Sequence, residues 1–283
     1  MSNLEVRLKS PISAFRKIAI GTWQTAYAPS IYGTLSLRME PALRYIEEFR
    51  QKTGKKLTVT HLVVKALALA LRETPDANAI LRWNRIYLRK SVDIAVLVVM
   101  EDKGEVDLSA ATLRGVDQKS LLQIVGELEE HAGRIRARKD RNLEATRQSM
   151  GLVPFLFINA FLKLLSFLLY TLNLDLSRFG VPRDAFGSAA VTSIGSLGLD
   201  VGYVPLVPYS RVPIWVAPGE VRDEAVVEDG KVVPGRAMSI NATFDHRIID
   251  GAHASRLARS LRRIFADPFG NLDPLTPPAP PAG

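Results

Sequence analysis

The chain contains no cysteine, which excludes a disulfide framework, a thiol nucleophile and a zinc–thiolate site. Its four histidines are scattered along the sequence, so a histidine metal cluster is set aside and no metal is expected. The opening residues, MSNLEVRLKSPISAFRK, carry no apolar stretch behind a basic start, and the cytoplasm is therefore the expected compartment. No internal repeat emerges. Basic residues are not interleaved with aromatics, and no helix-turn-helix, zinc-finger or RNA-recognition pattern is present, so nucleic acid is not an expected partner.

What the chain does contain is enough apolar material for a substantial core: 47% of its 283 residues are hydrophobic. The net charge of +8 favours polyanions, such as a nucleotide's phosphates or an anionic membrane, or simply gives a basic soluble surface. Helical patterns over Pro41 to Lys52 and Thr60 to Thr74 alternate with apolar strand patterns, and Ala225 to Val233 reads as a hairpin turning at Asp229-Gly230. The expected fold is a mixed α/β domain of the α+β type over residues 1–273. Pro274 to Gly283, rich in proline and alanine, should be an extended or disordered tail.

The most informative stretch is FDHRIIDG, Phe244 to Gly251, which sets His246 four residues before Asp250. The run before it, Arg236 to Phe244, reads as a strand, and Ala252 to Ala266 has Leu257, Leu261, Ile264 and Phe265 at helical spacing. The octet is thus a strand-to-helix corner. Gly251 is expected to take a backbone conformation closed to other residues, Asp250 to fix the local geometry, and His246 to stand at the edge of a site. Imidazole suits a general base because its ordinary pKa, ~6.5, lies near neutrality. His61, His131 and His253 lack such surroundings and read as buried, hydrogen-bonded histidines.

These residues resemble the F-D-H-R-x-x-D-G signature of the dihydrolipoyl acyltransferase core of 2-oxoacid dehydrogenase complexes, a family related to chloramphenicol acetyltransferase. The resemblance recurs in order along the chain. Arg16-Lys17-Ile18-Ala19 is similar to the family's R-K-x-I-A, and Lys65-Ala66 with Pro75 to Ala79 to its K-A and P-x-x-N-A segments. Val92 to Val96 resembles its V-N-I-G-I-A-V strand, Asp117 to Leu121 its D-x-K-S-[IL] helix start, and Val191 to Ser196 its T-I-S-N-I-G-S.

The resemblance implies a chloramphenicol acetyltransferase-like two-layer sandwich, a mixed sheet with helices packed on it. It also implies acyl transfer between coenzyme A and a thiol, with His246 as general base. In the family's T-I-S-N the third position supplies a hydroxyl to the oxyanion, and Thr192 falls there. Asp250 would be an orienting carboxylate held by an arginine, with Arg16 the candidate. The site would lie between subunits of a homotrimer, histidine from one chain and hydroxyl from the next. Coenzyme A enters as acyl-CoA substrate, and no residue of this sequence is assigned to it. The match begins near Arg16, so no lipoyl domain or lipoyl attachment site is expected ahead of it, and the acceptor would be a separate lipoyl carrier or a free thiol.

Two departures stand out. Where the family has an apolar G-L-V-V-P-V-I strand, this chain reads Gly104 to Ala110, GEVDLSA, which alters a channel wall and leaves an O- or N-acyltransferase acting on a small molecule as an alternative. The other is the apolar run Leu152 to Leu174, an insertion at about 150–180. It is long enough to span a bilayer, yet Asn159, Lys163, Ser166, Tyr170 and Asn173 fall on one narrow helical stripe. Two expectations stay open: an amphipathic helix making peripheral membrane contact, helped by Arg134, Arg136, Arg138, Lys139 and Arg141, or a helix buried in the oligomer. A non-catalytic oligomeric scaffold is the remaining alternative.

Overall fold

The computed structural model describes residues 2–10, 29–102, 105–139 and 154–275. Its frame is a mixed sheet in the order β2-β10-β8-β7-β5-β6, with β9 paired to β10. The strands are β2 Ser30–Arg38, β5 Ile94–Asp102, β6 Glu105–Leu113, β7 Ala189–Val191, β8 Ile214–Pro218, β9 Arg222–Glu228 and β10 Lys231–Asp245. β5, β7 and β8 run parallel, and the remaining pairings are antiparallel. A smaller sheet joins β1 Val6–Leu8, β4 Arg85–Arg89 and β3 Ala79–Arg82.

The period-two alternation of these strands decides which face the helices cover. Leu35, Leu37, Ile94, Val96, Val191, Ile214, Val216, Ile240, Ala242 and Phe244 all point into one buried core. Against that face pack α1 Glu40–Thr53, α2 Val59–Glu73, α3 Leu121–Arg136 and α5 Gly251–Ala266. The helix limits follow local chemistry. α1 starts with Pro41 in its first turn and stops at Gly54, whose φ of 68° suits a glycine C-cap. Its apolar positions Ala42, Tyr45, Ile46 and Phe49 form the buried stripe. Ser120 caps α3 by a reciprocal box with Gln123, so the D-x-K-S segment is indeed a helix start.

Several residues of the quoted motifs are structural fasteners. Buried Lys65 donates to the carbonyls of Asp117 at 3.1 Å and Lys119 at 2.5 Å, tying α2 to the loop before α3. Asn78 donates to the Ser91 carbonyl at 2.9 Å. The Asp229-Gly230 hairpin forms as expected, with φ of 50° and 76° at its tip and Lys231 opposite Glu228.

His61 is buried and closes the capping box of α2, its Nδ1 accepting the Thr58 backbone N–H at 3.1 Å. Burial lowers its pKa from 6.5 to about 4. The folded state therefore binds fewer protons than the unfolded chain. The stabilisation is complete above pH 6.5 and is lost as pH falls toward about 4, an effect on the order of 3 kcal/mol. Urea midpoints measured between pH 7 and pH 4 should fall less steeply for His61→Gln than for the wild type. Equal slopes would refute this origin.

The inserted segment is not one continuous helix. Its first residues, Leu152 and Val153, and Arg141 upstream lie outside the described residues. From Phe155 it runs as a 3₁₀ turn Phe155–Phe157, α4 Ile158–Ser166 and a π-helical turn Phe167–Thr171. The break has a cause. Arg82 donates to the carbonyls of Tyr170 at 2.7 Å and Thr171 at 3.1 Å, and Arg211 donates to the hydroxyls of Ser166 at 3.1 Å and Thr171 at 2.7 Å. Those partners pull the last turn out of α-helical register, and Asn173, at φ 60°, turns the chain toward Leu4. The helices of the described residues include none long and apolar enough to cross a membrane.

At the other end Asp273 accepts from the Leu121 backbone N–H at 2.6 Å, and Leu275 packs on the core. The expected tail beyond Leu275 lies outside the described residues, as does Gly104 of the altered strand.

Candidate active site

β10 carries Phe244 into the core and ends at Asp245, so His246 emerges at the end of a strand paired on both sides, by β2 and β8. Its backbone N–H donates to the Pro29 carbonyl at 2.8 Å, which pins the exit from the sheet. Ile248 and Ile249 then fold back, both donating their N–H to the Asp245 carbonyl. That turn brings the Ile249 carbonyl to 3.0 Å from His246 Nδ1. A carbonyl oxygen only accepts, so Nδ1 must carry the proton. In the neutral ring Nε2 is then left unprotonated, with a lone pair to accept a proton. The imidazole is half-buried, fixed but reachable.

Asp250 is the N-cap of α5: its Oδ1 accepts the His253 backbone N–H at 3.0 Å and lies 2.7 Å from His253 Nδ1. It thereby fixes the peptide whose carbonyl, that of Ile249, orients His246. Arg16, the candidate partner for Asp250, lies outside the described residues. Gly251 corrects the sequence expectation: it is the first residue of α5 and is not among the glycines with positive φ. The corner is made by the Asp245–Ile249 turn, and a Cβ on Gly251 would meet open space among the described residues.

Sequence reasoning missed the ion pair that brackets the histidine. Arg247 grips Asp245 with both guanidinium arms, Nε to Oδ1 at 2.9 Å and an Nη to Oδ2 at 2.6 Å, with the carboxylate largely buried. Strand alternation does not reach it, because β10 ends at Asp245 and Arg247 lies in the turn; the only local signal is the opposite charges at Asp245 and Arg247 on either side of the histidine.

Thr192 follows β7, its N–H donating to the Val216 carbonyl at 3.0 Å. The turn after it packs so closely that a Cβ on Gly195 would lie 2.3 Å from the Gly219 carbonyl oxygen, so only glycine fits. Beside it, fully buried Asn241 donates to the carbonyls of Asp200 at 3.1 Å and Ala217 at 3.2 Å and accepts from the Thr34 hydroxyl at 3.0 Å. These are further residues that no motif flagged.

The structure does not bring His246 and Thr192 together within one chain. Val191 pairs with Val216, which pairs with Ala242, so Thr192 stands level with Asn241. His246 is five residues further along β10 and two strands away, ~17 Å along the sheet and ~10 Å across it. Side chains do not bridge that gap.

A mixed sheet covered by helices on one face, with a tautomer-fixed histidine at the end of its long strand β10, defines the class as a two-layer α/β protein with a general-base candidate. The family follows from comparison: the model for 2-oxoacid dehydrogenases acyltransferase (catalytic domain) matches residues 7–150 and 185–271, and the chain belongs to that family. The unmatched stretch, 151–184, is the one that holds α4. The dihydrolipoyllysine-residue acetyltransferase component of the pyruvate dehydrogenase complex from Rhizobium meliloti (strain 1021) is 26% identical over 78% of this chain, which spans only 40% of that protein. A structure of Azotobacter vinelandii dihydrolipoamide acetyltransferase, solved to investigate the catalytic roles of a serine, a histidine and an asparagine, superposes with a TM-score of 0.63 at 23% identity, covering 93% of each chain. Chloramphenicol acetyltransferase superposes with a TM-score of 0.50 at 12% identity over 92% of this chain and all of the other. The expected two-layer fold is therefore the one observed.

Proposed function

We propose that the chain transfers an acyl group between coenzyme A and a thiol, the dihydrolipoyl group of a lipoyl carrier, in the cytoplasm. The observation that carries this reading is the Ile249 carbonyl on His246 Nδ1, which leaves Nε2 as a base. His246 takes the proton of the attacking thiol, and the thiolate adds to the thioester carbonyl. The Thr192 hydroxyl donates to the oxygen on which charge develops, and one such donor is worth ~3 kcal/mol. Collapse of the intermediate breaks the bond to the coenzyme A sulfur, which recovers the proton from the imidazolium. Asp250 acts through the backbone as a positioning residue. This chain supplies a hydroxyl at Thr192, an imidazole at His246 and a carboxylate at Asp250 for these roles. The acceptor follows the Rhizobium relative, which acts on a dihydrolipoyllysine residue.

The assembly in this reading is a homotrimer with each site between two chains. Its support is the ~20 Å that the strand register puts between His246 and Thr192 in one chain.

The test is to incubate the purified chain with a panel of acyl-CoAs and free dihydrolipoamide. Products are separated by chromatography, because the exchange conserves the number of thiols. S-acyl-dihydrolipoamide and free coenzyme A should appear together. Acylation of alcohols or amines in place of the thiol would replace the acceptor, and no transfer to any acceptor would sink the reading.

A further inference from the structure

The inserted segment is unusual for one on a water-soluble surface, because polar groups of its C-terminal half turn inward while large apolar side chains stay exposed. Its polar side chains Ser166 and Thr171 are buried against Arg211, and Tyr170 is buried with them. Leu165 and Leu169 pack on a small core cluster, but several other apolar side chains face outward: Leu156 is 84% exposed, Phe179 81%, Phe157 57% and Leu164 56%. The C-terminal half of the polar stripe, Ser166 and Tyr170, thus serves as the attachment to the domain, while Asn159 and Lys163 stay exposed beside the outward apolar side chains. Scattered exposed apolar residues need no explanation, but a concentration of them on one segment does.

A second element joins this face. Trp83 sits at the tip of the β3–β4 hairpin with φ 50°, a conformation unfavourable for a bulky side chain, and is 59% exposed. Its ring meets Phe167 edge-on at 5.9 Å between centroids, extending the apolar face of α4 across to the hairpin. Exposed Arg85, Lys163 and Arg178 lie on the same elements, against one acidic residue, Asp175, between residues 154 and 180.

We propose that this face, Leu156, Phe157, Leu164, Phe167 and Phe179 together with Trp83, docks into one leaflet of an anionic lipid bilayer, with the segment lying in the membrane plane. Charge chooses the occupant. A two-fold contact with a second copy would set the same Arg85, Lys163 and Arg178 against themselves on a chain of net charge +8, whereas anionic headgroups complement them. Indole suits the headgroup depth, apolar in body with one polar N–H. The short, broken helix is fit to lie in a leaflet, and no described helix is able to cross one.

The experiment is flotation of the full chain with phosphatidylcholine vesicles, with and without phosphatidylglycerol. The wild type should float with the anionic vesicles, stay behind with the neutral ones, and be partly released by salt. Leu156→Asp combined with Phe179→Asp, at positions where exposure leaves the fold untouched, should reduce the floated fraction by ~tenfold or more. Trp83→Gly, which also relieves the positive φ, should reduce it without lowering the melting temperature. Acyl transfer to soluble substrates should be unchanged in both variants, so the surface and the chemistry fail or succeed separately. Absence of flotation by the wild type, or flotation of the double variant at the wild-type level, would overturn the proposal. Loss of an oligomer in the double variant without flotation of the wild type would assign the face to a second copy instead.

Discussion

Replacing His246 with alanine is expected to lower acyl transfer by ~10³-fold or more, the upper part of the range for a positioned base. The loss should fall on turnover, because the thiol acceptor would then have to ionise unaided. Folding should survive. The ring is half-buried, and the turn that carries it is held independently by Asp245, Arg247 and the cap at Asp250. Steady-state kinetics beside a melting curve separate the two effects. Wild-type turnover in a well-folded His246→Ala protein would end the general-base mechanism.

The second large effect concerns the division of the site between chains. Thr192→Val removes the oxyanion donor while keeping shape, and should cost ~10²-fold or more in turnover. Neither this variant nor His246→Ala should work well alone. Assembled together in equal amounts, they should regain about a quarter of wild-type activity, because one site in four pairs an intact histidine with an intact hydroxyl on the neighbouring chain. A site contained in one chain would recover nothing. Co-expression with two affinity tags, followed by the transfer assay, distinguishes these outcomes, and a stable, fully active monomer would remove the shared site altogether.

Much of the architecture could be read from the residues because local chemistry agreed with the fold. Pro41, Gly54 and Ser120 mark helix ends that their backbone geometry requires, Asp229-Gly230 is the tight turn that its φ angles demand, and strict alternation along β10 says which side faces the helices. Where the sequence misled, a tertiary partner had intervened. A glycine after Asp250 looks like a turn residue, but the turn was completed upstream and Gly251 opens a helix. A polar stripe on an apolar run looks like a wet face, but two arginines distant in sequence, Arg82 and Arg211, bind its C-terminal part at Ser166, Tyr170 and Thr171 and turn that part inward.

The same distinction holds at the site. The octet FDHRIIDG by itself determined that a histidine would leave the end of a strand four residues ahead of a carboxylate, since strand, turn and helix signals are all local. Only the folded structure decided which ring nitrogen faces a carbonyl and which is left as the proposed base, because that depends on the carbonyl folded back from Ile249. Only the strand register decided that His246 and Thr192 stand at opposite ends of one sheet, because pairing between β7, β8 and β10 joins residues far apart in the chain, and no local signal specifies distance across strands.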